Sequence, residues 1–299
     1  MATKEKDFFE KQLFSMTTII FTELINDGKV YTEQATGLFY TETMPTEPGK
    51  AGPQWYKLEK YWLITNRHVV IKKVNNKEYL VDKFMFCVRQ NINGTINWKP
   101  IELSQEQLRG VLKLHQDKVV DVVAIDITSY IHEIINEITT GSTSNNYILP
   151  VNLTNSNLPQ NQPITIDVTS DIIVASYPKD FYDKTNKFPI VKSGIVASAW
   201  GFQFNGLPMF QIDAQLFPGS SGGLVISKPV NVAVIDGELK YNQSKQFVFL
   251  GVYSGEFQWD EEVEIAGEKH IFKHSYGLGN VWYSYLIPQI IRSGVAYVD

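Results

Sequence analysis

Ser221 lies in the run Pro218-Gly219-Ser220-Ser221-Gly222-Gly223-Leu224-Val225. Two glycines directly after a serine let the chain turn tightly beside its side chain. The glycine two positions before it leaves a backbone N–H free to face the same point. One hydroxyl then stands beside two backbone donors, the N–H groups of Gly219 and Ser221. Acyl transfer needs such a pairing of nucleophile and pre-set oxyanion hole. Glycine- and serine-rich loops are also ordinary turn material, so this string alone leaves both readings open.

A nucleophilic serine needs a base, and the base needs an orienting carboxylate. The apolar run Tyr61-Trp62-Leu63-Ile64-Thr65 leads through Asn66 and Arg67 to His68. Asp121 opens a second apolar run, Asp121-Val122-Val123-Ala124-Ile125-Asp126-Ile127. Asp117 is the nearest rival carboxylate, with Asp126 behind it; Asp126 lies between Ile125 and Ile127 and is expected to face solvent. Taken singly, His68 reads equally as a core histidine, Asp121 as a strand-start residue and Ser221 as a loop serine. The order His68, Asp121, Ser221 with all three contexts in place favours chemistry. His115, His132, His270 and His274 have no such context. The last two have the i, i+4 spacing of some metal sites, but their stretch reads as hairpin and strand, so no metal is expected.

These segments resemble the trypsin-like serine proteases, most of all the bacterial Deg-type branch. The string WLITNRHVV (62–70) is similar to that branch's histidine segment, DVVAIDI (121–127) to its aspartate segment, and QIDAQLFPGSSGGLV (211–225) to its serine segment. Weaker similarity at 35–39, 173–178 and 193–198 extends the resemblance from about residue 35 to about residue 290. It implies that His68 is general base and then acid, that Asp121 orients it, and that Ser221 attacks the scissile carbonyl. Gly219 and Ser221 would supply the oxyanion hole. Gln215 would lie near the base of the primary pocket, with Tyr253, Ser254, Gly255, Gly277, Leu278 and Gly279 as its walls. Gln215 in place of an aspartate implies a polar or uncharged side chain beside the cut. Ser220 stands where zymogen-type relatives carry an aspartate that pairs with a new N-terminus, so that switch is expected to be absent. A peptide-binding (PDZ) module after the last barrel element is not expected.

The expected function is therefore a serine endopeptidase acting on a protein or peptide substrate. Such an enzyme inside a cell implies restraint, either by an activating or inhibitory protein partner or by a disordered loop at 217–220. A silent trypsin-fold peptide-binding module and a serine esterase or transferase are the alternatives. The Gly-x-Ser-x-Gly context and Ser-Asp-His order of α/β-hydrolases are absent.

Composition fits this reading. The 299 residues are 43% apolar with a net charge of −5 spread along the chain, which gives no nucleic-acid footprint. No 18-residue apolar run implies a membrane span. The mixed charges of residues 1–7, followed by a β-branched run, lack the layout of a secretory signal, and a cytoplasmic protein is expected. Cys87 is the single cysteine, so an intramolecular disulfide is excluded; it reads as a core strand residue. No cofactor is implied. The acidic run 260–264 reads as a solvated loop that would favour basic peptides if it bordered the cleft.

Strand signals dominate, at 16–22, 36–41, 61–65, 79–88, 119–127, 163–167, 171–176, 207–214, 222–227 and 246–253. Helices are expected at 2–13, from a Ser104 cap through Leu108, around Ile131–Ile134–Ile135–Ile138, and at 284–292. Residues 139–163 read as the link between two halves. Many short strands and few helices indicate an all-β fold of barrels. The resemblance supplies the form: two antiparallel β-barrels with the site between them. Residues 1–34 would be an N-terminal extension, 35–145 the barrel with His68 and Asp121, 146–162 a connector, and 163–299 the barrel with Ser221.

Overall fold

The computed structural model of the protein describes residues 8–45, 56–140, 146–235, 238–265 and 268–298. The first half opens with α1 (Phe8–Ser15) and strands β1 (Thr17–Asn26), β2 (Lys29–Pro45) and β3 (Tyr56–Thr65). The β1–β2 hairpin turns at Asp27-Gly28, both at positive φ, as the right-handed twist of paired strands demands. A single helical turn, α2 (Arg67–Val70), leads into β4 (Ile71–Val74) and β5 (Lys77–Leu80), a small separate hairpin. Then follow β6 (Lys83–Ile92), β7 (Thr95–Ser104), α3 (Gln105–Val111), β8 (Leu112–Leu114), β9 (Val123–Asp126), α4 (Thr128–Thr139), β10 (Asn146–Ile148) and β11 (Leu153–Thr154). Nine strands make one sheet in the order β10-β6-β1-β2-β3-β9-β8, with β7 on β6 and β11 on β2. Ser104 starts α3 with a reciprocal capping box to Gln107.

The second half is a closed barrel. Its strands are β12 (Asp171–Ser176), β13 (Ile190–Val196), β14 (Met209–Asp213) and β15 (Leu224–Ser227), followed by a side hairpin of β16 (Val230–Ile235) and β17 (Glu238–Gln246), then β18 (Phe249–Ile265) and β19 (Glu268–Tyr283). The barrel closes in the order β12-β13-β14-β19-β18-β15. Helix α5 (Leu286–Ser293) follows, and Val295 then bridges back to Leu114 of the first half through two backbone bonds of 2.9 Å.

Alternation along the strands divides the apolar residues among three cores. Phe39, Leu63, Phe84, Phe86, Leu103 and Ile125 fill the first half. Ile172, Val174, Phe210, Ile212, Val225 and Val281 fill the barrel. A third core between the halves takes the opposite faces of the same strands, including Leu38, Tyr40, Trp62, Ile64, Leu224 and Ile226, and is closed by Leu286, Ile287, Ile290 and Ile291 of α5. Strands buried on both faces explain the unbroken apolar runs around His68 and Ser221.

The all-β class and sparse helices are as the sequence leads one to expect. Several elements differ. Residues 163–167 form no strand: Ile164 and Ile166 pack against the barrel core without a ladder partner. The strand expected over 119–127 shrinks to β9, because Val120 and Val119 N–H groups turn back onto Asp117. The run 79–88 splits at Val81 and Asp82, whose N–H groups bond Val70 and Glu23 outside the ladder. The acidic run 260–264 is strand, not loop: it lies in β18 and pairs with β19. Helix α1 begins at Phe8, and residues 2–7 of the expected helix lie outside the described residues. Within 146–162, β10 pairs with β6 and β11 with β2. Among the described residues no helix is long and apolar enough to cross a membrane.

Candidate active site

β3 ends at Thr65, and the chain passes through Asn66 into the one-turn helix α2 that carries His68. Asp121 sits in the loop two residues before β9, which pairs with β3, so sheet register brings the two residues together. The Asp121 carboxylate accepts twice from one residue: from the His68 backbone N–H at 2.9 Å and from Nδ1 at 2.7 Å. An ionised carboxylate can only accept, so toward it the imidazole donates from Nδ1, and Nε2 makes no hydrogen bond to a protein group among the described residues. The Asp121 side chain is 20% exposed and that of His68 47% exposed, so the histidine edge is reachable while its partner is sheltered. Asn66 Nδ2 donates to the Asp121 carbonyl at 2.7 Å and fixes that loop against the helical turn. The rival carboxylates are elsewhere occupied: Asp117 caps its own turn, and Asp126 accepts from the Thr128 N–H with Lys60 at 3.7 Å.

Ser221 lies in the turn before β15. Gly219 has φ +91° and a Cβ there would stand 2.5 Å from the Lys179 nitrogen; Gly222 has φ +83° and a Cβ would stand 1.9 Å from the Thr36 carbonyl oxygen. Only glycine fits at either place. The carbonyls of this turn are tied back one by one. Pro218 O accepts from Lys179 N–H at 2.8 Å, Gly219 O from the Thr36 hydroxyl at 3.0 Å, and Ser220 O from Gly223 N–H at 2.9 Å. In a trans peptide the N–H points opposite to the C=O. Anchoring Pro218 O and Ser220 O therefore turns the N–H groups of Gly219 and Ser221 away from those anchors, and neither donates to a protein acceptor among the described residues. These bonds, together with Ser220, fully buried with its hydroxyl 3.1 Å from that of Ser176, hold the turn.

Thr36, on β2, is the joint between the halves. It is fully buried, donates its N–H to Ser221 O at 2.8 Å, and accepts on Oγ1 from Tyr177 N–H at 2.9 Å. Its carbonyl accepts from Thr65 Oγ1 at 2.8 Å, three residues before His68. Sequence reasoning marked Thr36 only as part of a weak similarity, and Asn66 only as part of the histidine run.

The Ser221 hydroxyl donates to the Ser254 carbonyl at 3.1 Å and makes no hydrogen bond to His68. His68 and Asp121 are thus joined, and Ser221 is turned toward β18. Around it, Tyr253 is buried and lies against Gly279, where a Cβ would meet its ring at 2.7 Å. Ser254, Gly255, Gly277 and Leu278 are half-buried, and Gln215 is exposed. A carboxylate the sequence did not single out, Glu256, accepts from Leu216 N–H at 2.9 Å and from the Ser275 hydroxyl at 2.6 Å. Cys87 is buried in β6, and burial pushes its thiol up to about 12, which removes it as a nucleophile. His274 bonds Glu261 on the β18–β19 hairpin. Among the described residues no group of three or more His, Cys, Asp or Glu is placed to hold a metal ion.

No family profile matches the sequence, and no curated protein matches it. Among solved structures, the Rv3671c protease of M. tuberculosis in its active form is similar over 96% of this chain and 83% of its own, at 15% identity and a TM-score of 0.44. The protease Anisep of Arthrobacter nicotinovorans is similar over 94% of this chain and 96% of its own, at 13% identity and a TM-score of 0.47.

Proposed function

We propose that the protein is a serine hydrolase that cuts peptide bonds, with Ser221 as nucleophile, His68 as base and Asp121 as its orienting carboxylate. The observation that carries this reading is the pair of unpartnered N–H groups, Gly219 and Ser221, at a serine whose neighbouring carbonyls are all tied back. A loop serving only as a turn has no need to leave two donors open. Pre-set donors of this kind hold the oxyanion of a tetrahedral intermediate, and losing one lowers turnover by about 2.7–4 kcal/mol of barrier.

In this mechanism a bound acyl group draws the Ser221 side chain from the Ser254 carbonyl to His68 Nε2. His68 takes the hydroxyl proton as Ser221 Oγ attacks the carbonyl carbon, and the new oxyanion sits on the two free N–H groups. The imidazolium, stabilised by Asp121, then protonates the leaving amine, and water repeats the cycle on the acyl-enzyme. Catalytic hydrogen bonds are commonly open in the free enzyme and tighten with substrate.

A panel of fluorogenic peptides and simple esters tests the proposal. Wild-type protein should hydrolyse peptides, and Ser221→Ala and His68→Ala should each lower kcat by about 10³-fold or more. Undiminished hydrolysis by either variant contradicts it. Turnover of esters with no peptide cleaved would favour the esterase reading, since both reactions share the acyl chemistry.

A further inference from the structure

β18 pairs with β15 only through Phe249–Val252, while its pairing with β19 continues to the hairpin end. From Ser254 onward, β18 has β19 on one side and no strand on the other among the described residues. This open edge starts at the carbonyl that holds the Ser221 hydroxyl and runs outward as a two-stranded ribbon. The stretch from Gln258 to Glu264 is about 23 Å long at the usual strand rise.

The ribbon's two faces differ. Residues paired across the strands share a face, as do alternate residues along one strand. Trp259, Glu261 and Val263 lie with His274, Phe272 and His270. Trp259 stacks on His274 at 4.6 Å, and Trp259 and Phe272 remain 41% and 45% exposed. The opposite face holds Asp260, Glu262 and Glu264 against Lys273, Ile271 and Lys269, with Lys269 2.5 Å from Glu262. The acids are on β18, the strand whose edge leads back to Ser254, and the lysines are on β19, which pairs with β14 only over Leu278–Trp282. No lysine or arginine occurs from 254 to 265.

We infer that this open edge of β18 is a docking strand for the substrate, and that it takes an extended segment in which Lys or Arg alternates with apolar residues. The inference rests on the proposed role of Ser221. Antiparallel addition runs the segment from the ribbon tip toward Ser254, so it lies N-terminal to the bond cut, about four to ten residues upstream. Its basic side chains fall beside Asp260, Glu262 and Glu264, and its apolar ones beside the face of Trp259 and Val263, where Glu261 is taken up by His274. The same row of acids repels a second copy of this edge, which excludes self-pairing.

The test uses Ser221→Ala protein and fluorescent peptides that share one short core and differ in their N-terminal extension. An alternating Lys/Val extension should bind at least about tenfold tighter than an alternating Glu/Val one, with the gap narrowing at high salt. N-methylation of alternate residues in the Lys/Val extension should remove the gain, because strand addition needs main-chain bonds. Asp260→Asn with Glu262→Gln and Glu264→Gln, checked for an unchanged unfolding midpoint, should erase the preference. Equal binding of basic and acidic extensions, or full binding after N-methylation, overturns the docking strand. Basic preference in the Ser221→Ala protein with no peptide cleaved by wild type would leave the docking strand standing and sink the hydrolase reading. Cleavage without any preference would do the reverse.

Discussion

The Asp121 carboxylate spans the backbone N–H and Nδ1 of one histidine, and the Asn66 side chain holds the Asp121 carbonyl from the other side. Two residues thus fix one ring, Asp121 directly and Asn66 through Asp121. Asn66 touches no reacting atom in the proposed mechanism and acts as a positioning residue. Asn66→Ala should lower kcat about tenfold with KM little changed, since a small misplacement of a catalytic group slows the chemical step; steady-state kinetics on one peptide reads the split. A rise in KM alone would assign Asn66 to substrate binding instead. His68, Asp121 and Ser221 could be singled out from sequence because the chemistry proposed for them needs those residue types in recognisable local strings, and the structure joins the first two. Asn66 and Thr36 could not, because each acts by hydrogen bonds to backbone groups distant in sequence, and an Asn or Thr leaves no pattern for that. Glu256 escaped for the same reason: its partners, Leu216 N–H and Ser275, are known only once β18 and β19 are folded.

Elements set how tightly the serine turn is held. Gly222 and Gly28 both have positive φ, +83° and +72°, but only Gly222 meets neighbouring atoms where a Cβ would stand. Gly28→Ala should cost about 1 kcal/mol through backbone strain alone, whereas Gly222→Ala should cost about 1–3 kcal/mol more as Thr36 and Thr65 are pushed aside. Urea unfolding of the two variants measures the difference, and equal losses would show that the turn yields freely. The stretches 61–65 and 222–227 read as strands from their apolar residues, and the structure divides those side chains between two cores on each strand. Polar, half-exposed strands such as β7 and β13 were missed, since one dry face gives a weak signal in sequence. The acidic stretch was misread because charge alone suggests a loop, while its strand pairing depends on β19 across the hairpin.

At the scale of the whole molecule, Ser221 stands on one half and His68 on the other, and Thr36 joins the two. Its hydroxyl donates to Gly219 O and accepts from Tyr177 N–H, so it binds the Ser221 turn and the end of β12 at once. Thr36→Val keeps the shape but leaves that buried N–H unpaired. It should cost about 1–3 kcal/mol of stability, read by urea unfolding, and should lower kcat further than that loss explains. Unchanged kcat in the folded variant would mean that the turn keeps its geometry without the first half. α5 closes the core between the halves, and Val295 returns the chain to β8.

Labelling with a fluorophosphonate probe tests the central claim most directly, because the reagent needs both an activated serine and an oxyanion hole. The account predicts that wild-type protein is labelled once, at Ser221, and that labelling disappears in Ser221→Ala and falls strongly in His68→Ala. A folded wild-type protein that takes no label, or one whose label survives Ser221→Ala, would contradict it.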